Sequence, residues 1–263
     1  MSTRVSSRFS QIGLDRLVRL RWLERTATLA IAGNSGAETK SSLQDNLRNS
    51  FPSSDVSVRG SINKTITILM KVWLRPPGYL RALHLAGLNF LALSKGSNHL
   101  AVHWGMVMAV YPFWAGVATQ VGRLLKLQGR VVAAQVQRRL REQYGERETV
   151  SRAARRVLRS YVDWNVLKET GVKGIYGPAP AYIIEDSKLI AWLIEASLHA
   201  RSGGSGPLKE VIGSPSLFPF HIRPVHGEEF SAESGNLQVV RHGLEEEFVM
   251  LVASSGSTIS GVG

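Results

Sequence analysis

The spacing of apolar residues along the chain predicts a protein built mainly of α-helices. Apolar side chains recur every three or four positions over most of the chain, which is the period of a helix that buries one face. In the first half, the pattern predicts helices over residues 14–32, 41–49, 61–75 and 77–94. The β-branched run in 61–75 also suits a strand, but its length favours a helix. Further along, helices are predicted over residues 98–110, 112–127, 133–144, 149–163 and 186–200.

Short apolar runs beside glycines predict a small amount of β structure. Residues 166–168 and 175–177 flank a turn with two glycines and predict a hairpin, and 237–240 and 247–251 predict two later strands. Residues 254–263 consist mostly of Ser and Gly and are expected to be disordered. We therefore expect three segments, namely a helical domain, a second domain and a C-terminal extension, over residues 1–111, 112–200 and 201–263.

An uncharged stretch over residues 100–118 allows two interpretations. Its nineteen residues, LAVHWGMVMAVYPFWAGVA, come close to the length that spans a bilayer. His103 and Pro112 interrupt it, and proline fits the start of a helix better than its interior. The flanking basic residues favour neither orientation across a membrane. The pattern therefore favours two buried helices over an inner-membrane protein with one span at 100–118.

The composition narrows the classes of protein that the chain can belong to. Its 263 residues carry a net charge of +12, which favours polyanionic partners. The chain contains no cysteine, which excludes disulfides, thiolate nucleophiles and cysteine-ligated zinc. Arginines interrupt the first 25 residues, so no signal peptide is predicted and a cytoplasmic location is expected.

The positive charge is concentrated rather than spread evenly. Residues 1–95 carry a net charge of +9, and residues 206–263 carry −4. Between residues 121 and 160 there are 11 basic and 3 acidic residues. This local excess favours nucleic acid as the partner of the middle segment.

The middle segment resembles a known DNA-binding fold. The resemblance is carried by residues 128–177, QGRVVAAQVQRRLREQYGERETVSRAARRVLRSYVDWNVLKETGVKGIYG. Together with the helix predicted before them, these residues follow the order helix, short extended piece, helix, tight turn, helix, β-hairpin. This order resembles that of the winged helix-turn-helix superfamily, over residues 112–200. The resemblance implies that the helix over 149–163 lies in the major groove and that the hairpin is a wing.

The resemblance and the charge pattern together identify candidate contact residues. Arginine suits such a site because its planar fork can bond guanine O6 and N7 together. In the predicted recognition helix, the candidates are Ser151, Arg152, Arg155, Arg156 and Arg159. Outside that helix, they are Arg138, Arg139, Arg147, Lys168 and Lys173.

No pattern in the sequence predicts catalysis. There is no P-loop, no GxSxG nucleophile elbow and no GxGxxG fingerprint. His99 and His103 are spaced like metal ligands on a helix but lack a third ligand, so core histidines are favoured. The six tryptophans fall on apolar helix faces and are expected in the core. We therefore expect no enzyme activity, no cofactor and no metal.

The function expected from the sequence is non-catalytic DNA binding. The protein would act as a regulator or as the nucleic-acid-contacting subunit of a larger assembly, with double-stranded DNA as its partner. Structured RNA is an alternative partner for the same basic residues. The N-terminal helices would bind a protein partner or a second copy of the chain. The main alternative is a scaffold subunit whose winged helix contacts another protein.

Overall fold

The chain is mainly α-helical, as the apolar spacing predicts. A computed structural model describes residues 8–48, 50, 56–93, 97–231, 235–242 and 246–252. The larger helices, in chain order, are α1 (Leu20–Ile31), α2 (Gly36–Arg48), α3 (Val56–Trp73), α4 (Arg81–Leu93), α5 (Ser97–Val110), α6 (Pro112–Gln128), α7 (Ala133–Tyr144), α8 (Glu148–Asp163) and α9 (Ser187–His199). Shorter ones are α10 (Leu208–Ile212), α11 (Glu228–Ser231) and the 3-10 turns Gly78–Leu80 and Pro215–Leu217.

Within the described residues, short strands form three small sheets. The strands are β1 (Val131–Val132), β2 (Leu167–Glu169), β3 (Ile175–Pro178), β4 (Tyr182–Ile184), β5 (Ser205–Pro207), β6 (Phe220–Ile222), β7 (Leu237–His242) and β8 (Glu246–Leu251). One antiparallel sheet has the order β1-β3-β2, another has the order β5-β8-β7, and β4 pairs with β6 in parallel. The predicted hairpin corresponds to β2–β3, and the two predicted C-terminal strands correspond to β7 and β8. The expected disorder over 254–263 falls outside the described residues.

The first helix begins later than the apolar spacing predicts. The spacing predicts a helix from residue 14, whereas residues 14–19 are not helical and Arg19 has an extended backbone. The backbone N–H of Val18 donates to Oγ of Ser160 over 2.9 Å, and that of Leu20 donates to a carboxylate oxygen of Asp163 over 3.1 Å. Asp163 thereby satisfies an N–H group that the first turn of α1 leaves open, and Ser160 satisfies one in the segment before the helix. Tertiary contacts therefore override the local periodicity.

The uncharged stretch forms two helices. It breaks at Tyr111, which has φ −126° and ψ 85°, and Pro112 starts the next helix as its sequence position predicts. Among the described residues, no single helix is long and apolar enough to cross a membrane. In the part of the chain that the structure describes, one pair of helices, 98–110 and 112–128, is long and apolar enough when taken together, and the chain bends by 117° between them.

An aromatic cluster joins the three predicted segments in one core. Trp104 in α5 packs edge-on against Trp114 in α6 at a ring distance of 5.2 Å. Trp104 also contacts Tyr161 in α8 at a ring distance of 4.9 Å and Phe218 at 5.5 Å. The indole N–H of Trp104 donates to the carbonyl of Ser216 over 3.1 Å, so its one polar group is satisfied. This cluster fixes α8 relative to the rest of the molecule.

A buried histidine in the same core couples folding to pH. His103 is fully buried, and its Nδ1 accepts a hydrogen bond from the indole N–H of Trp73 over 2.9 Å. Burial, together with the charge of His99, lowers the pKa of His103 to about 3. His103 is therefore a neutral core residue that binds a proton more readily in the unfolded chain than in the folded one.

We expect the protein to lose stability as the pH falls below about 6.5. An unfolded histidine binds its proton near that pH, whereas folded His103 remains neutral down to about pH 3. Because the unfolded state binds more protons in this interval, His103 lowers the free energy of unfolding by about 1.4 kcal/mol per pH unit. Urea unfolding at about pH 7.5 and about pH 5 measures this slope. A His103→Asn variant, which cannot titrate, should show a shallower slope, and equal slopes would contradict the assignment.

Candidate nucleic-acid interface

Helix α8 presents a narrow basic face to solvent. Arg152, Arg155 and Arg159 are exposed, and their spacing of three and four residues places them on one side of the helix. The remaining circumference is packed against the core through the buried residues Val150, Ser151, Ala153, Ala154, Val157, Leu158, Ser160 and Tyr161. Burial of the other faces holds the helix rigidly, so the arginines project from a fixed surface.

A tight turn places α7 against α8. Helix α7 ends at Gly145, whose φ of 99° lies in the region that glycine adopts without strain. Arg147 follows and donates to the carbonyl of Tyr144 over 2.9 Å, so its side chain helps to close the turn. Arg147 was predicted as a contact residue; although exposed, it is partly committed to this structural role.

The small antiparallel sheet lies next to the basic face. Strand β1 lies between α6 and α7 in the chain and pairs with β3, with Val131 opposite Tyr176, and β3 also pairs with β2. Burial raises the pKa of Tyr176, Glu169 adds to the rise, and the nearby charge of Arg159 opposes it. Helix α8 also packs against β2. The hairpin therefore lies next to α8, near enough for the charge of Arg159 to act on Tyr176.

The hairpin carries both predicted lysines in exposed positions. Lys168 lies in β2, and Lys173 lies in the loop between β2 and β3. The loop reverses direction through Gly171 and Gly174, each with φ of 80°. Glu169, exposed next to Lys168, reduces the positive charge of the hairpin.

The arginines of this region differ in how far acidic neighbours neutralise them. Arg155 pairs with Glu148 at 2.8 Å. Within the described part of the chain, Arg152 and Arg159 have no ion-pair partner. Since an incoming phosphate or base must displace an existing partner, Arg152 and Arg159 are the arginines best placed to bind a ligand.

Helix α7 contributes less free positive charge to the basic surface than its sequence suggests. Arg138 is exposed and lies 3.8 Å from Glu142, one helical turn away. Arg139 is half-buried. Arg138 can therefore add positive charge at the edge of the surface, although its charge is shared with Glu142, whereas Arg139 is less open than the arginines on α8.

Ser151 was predicted as a contact residue, and this prediction is wrong. Its side chain is 2% exposed, and its hydroxyl accepts a hydrogen bond from Arg141 over 3.1 Å. Arg141 also pairs with Glu146 at 2.8 Å. Ser151 therefore links α8 to α7 and cannot reach a ligand. It lies on the buried side because it is only one residue from Arg152, which is about 100° of helix rotation.

Arg156 lies at the border of the exposed face and contacts a distant segment. Its guanidinium donates to the backbone carbonyl of Asp15, and it lies 3.9 Å from the carboxylate of the same residue. The segment of residues 12–19, which we call the N-terminal strap, runs alongside α8. The indole N–H of Trp164 donates to the carbonyl of Val18 over 2.9 Å and secures the strap near the end of the helix.

The strap brings a further basic residue to the site that the sequence did not identify. Arg16 pairs with Asp15 at 2.7 Å and lies close enough to Arg156 for their charges to interact. The only signal for Arg16 in the sequence was the unexplained positive charge of the first 95 residues. Nothing local indicates that this segment packs against a helix more than 130 residues away.

The chain was compared with known proteins at the levels of family, sequence and structure. No protein family, no curated protein and no solved structure matches it.

Proposed function

We propose that residues 112–200 contain a winged helix-turn-helix that binds double-stranded DNA without catalysing a reaction. Helix α8 would enter the major groove, α6 and α7 would support it, and β2–β3 would be the wing. The order of α6, β1, α7, α8 and the hairpin supports this proposal. The pairing of β1 with β3 supports it further, because it joins the hairpin to the segment between α6 and α7 in one sheet.

One observation carries the proposal, namely the exposed face of Arg152, Arg155 and Arg159. A rigid helix with three arginines on its only exposed side matches the shape and charge of a major groove. Lys168 and Lys173 would contact backbone phosphates from the hairpin. Duplex DNA suits this face better than duplex RNA, because the major groove of A-form RNA is too deep and narrow for a helix.

The proposed role is that of a regulator or of the DNA-contacting subunit in a larger assembly. A cluster of phosphate-binding side chains gives binding that weakens steeply with salt, because each contact releases a counterion. The exposed basic groups on α8 and the hairpin predict a dependence equivalent to about four phosphates.

Binding to a random duplex at two salt concentrations tests the proposal. We expect affinity to fall by roughly 100-fold between about 0.05 and 0.2 M salt, measured by electrophoretic mobility shift. A single-stranded oligonucleotide of the same length serves as the control and should bind more weakly. No duplex binding at the lower salt would contradict the proposal. A protein partner that remains bound after nuclease treatment would then favour the scaffold alternative.

A further inference from the structure

A cavity of about 420 Å³ lies between the N-terminal strap and the beginning of α8. Its walls include Arg16 and Asp15 from the strap, and Thr149, Arg152 and Arg156 from α8. Its volume falls within the range of small-ligand sites, about 300–1,000 Å³. Two segments far apart in the chain therefore enclose one space that polar and basic groups line.

The cavity holds more positive charge than its acidic group can neutralise. Three guanidinium groups line it, and Asp15 supplies the single carboxylate among its described lining residues. The carboxylate of Asp15 lies 2.7 Å from Arg16 and 3.9 Å from Arg156, so the two guanidinium groups share one negative charge. Arg152 has no ion-pair partner within the described residues. The site as built thus has two uncompensated positive charges.

The arginine side chains repel one another across the cavity. Burial lowers the pKa of Arg156, and the charges of Arg16 and Arg152 lower it further, while Asp15 opposes this. The side chain of Arg16 is 16% exposed, and its Nε is buried without a hydrogen-bond partner in the described structure. An anion in the cavity would relieve the repulsion between the guanidinium groups.

We propose that this cavity binds a phosphate group between Arg16, Arg152 and Arg156. Guanidinium forks match the oxygens of a phosphate and can hold it with two parallel hydrogen bonds each. The hydroxyl of Thr149 lines the same space and can donate one more bond. The strap is therefore part of the binding surface, and Arg16 links it to the recognition helix.

The phosphate can come from two sources. If it belongs to a DNA backbone, the site extends the footprint of α8 and rests on the proposed function. If it belongs to a free phosphorylated ligand, the site exists independently of DNA. In both cases the recognised chemistry is a phosphate dianion or diester held by arginine.

Replacing Arg16 by glutamine tests the proposal, because this change keeps a polar side chain and removes the charge. If the phosphate is part of DNA, Arg16→Gln weakens duplex binding about 5- to 10-fold and lowers the salt slope by about one. If the ligand is free, pyrophosphate raises the melting temperature of the wild-type chain more than chloride of equal ionic strength does. Arg16→Gln then abolishes the difference between the melting temperatures in pyrophosphate and in chloride.

Three further variants serve as controls. Arg81→Gln removes an exposed arginine from α4 that does not line the cavity, and it should change neither readout. Arg16→Lys keeps the charge and should recover part of the binding. Asp15→Asn removes the competing carboxylate, leaves the backbone carbonyl that Arg156 contacts, and should tighten binding several-fold.

The outcomes separate this proposal from the DNA-binding proposal. An Arg16→Gln protein that binds duplex as the wild type does, combined with no protection of the wild type by pyrophosphate, overturns the phosphate site. DNA binding through α8 would be unaffected by that result. Protection by pyrophosphate that requires Arg16, in a chain that binds no duplex, would support the site and contradict the proposed function.

Discussion

Replacing Arg152 and Arg159 together by glutamine is expected to weaken duplex DNA binding by about 100-fold or more at constant salt. Both side chains are exposed on the same face of α8, and neither has an ion-pair partner in the described structure. Each arginine that bonds a base edge or phosphate contributes about 1–3 kcal/mol, and the two sites are far enough apart to act nearly independently. The measurement is a titration of duplex DNA by mobility shift or fluorescence anisotropy.

Arg155→Gln provides a matched control on the same helix. Arg155 is exposed like the other two but pairs with Glu148 at 2.8 Å, so part of its charge is already neutralised. We therefore expect a loss smaller than that for either Arg152→Gln or Arg159→Gln. Since all three side chains are exposed, melting temperatures should stay within a few degrees of the wild type. Unchanged duplex affinity in the double variant would rule out α8 as the contacting helix.

Gly122→Ala is expected to lower the free energy of unfolding by about 3 kcal/mol or more. Gly122 in α6 packs directly on the 3-10 turn Pro215–Leu217. A Cβ at this position would overlap the carbonyl oxygen of Pro215 and lie 2.9 Å from its carbonyl carbon. Backbone atoms cannot rotate away as a side chain can, so α6 and the turn must separate.

Separation at Gly122 would also disturb the aromatic cluster, because the same turn accepts the hydrogen bond from Trp104. Thermal unfolding followed by circular dichroism should show a decrease of roughly 6–12 °C for Gly122→Ala. Gly60→Ala in α3 is the matched control, since no described atom lies within 4 Å of its added methyl group. In this control the free energy of unfolding should rise by about 0.5–1 kcal/mol, because alanine restricts the unfolded chain and favours the helix. A stable Gly122→Ala protein would show that the turn is not held against α6.

Local patterns were sufficient to predict the elements of the candidate site. The predicted helices 133–144 and 149–163 agree with α7 and α8 to within a residue, because their apolar spacing follows the helical period. The predicted helix over 186–200 agrees with α9, and the carboxylate of Asp186 caps it by accepting hydrogen bonds from the backbone N–H groups of Lys188 and Leu189. These features depend on neighbours only a few residues apart, so a single sequence contains the information.

Where long-range contacts determine the local structure, residue spacing did not predict it. The strap was predicted to be helical because Leu14, Leu17 and Val18 have helical spacing, yet its backbone bonds to α8 instead. The pairing of β4 with β6 and the docking of the 215–217 turn were missed for the same reason. Such contacts depend on three-dimensional complementarity between segments, and residue spacing does not encode it.

The arginine-rich face of α8 follows from the sequence alone, because helical periodicity separates its basic and apolar positions. Which of those arginines can bind a ligand was decided by the tertiary structure. Packing committed Arg156 to the carbonyl of Asp15, which lies 141 residues earlier, and left Arg152 and Arg159 without partners in the described chain. It also placed Arg16 beside them. Charge and periodicity are local properties of a chain, whereas burial, ion pairing and the enclosure of a cavity arise only when distant segments meet.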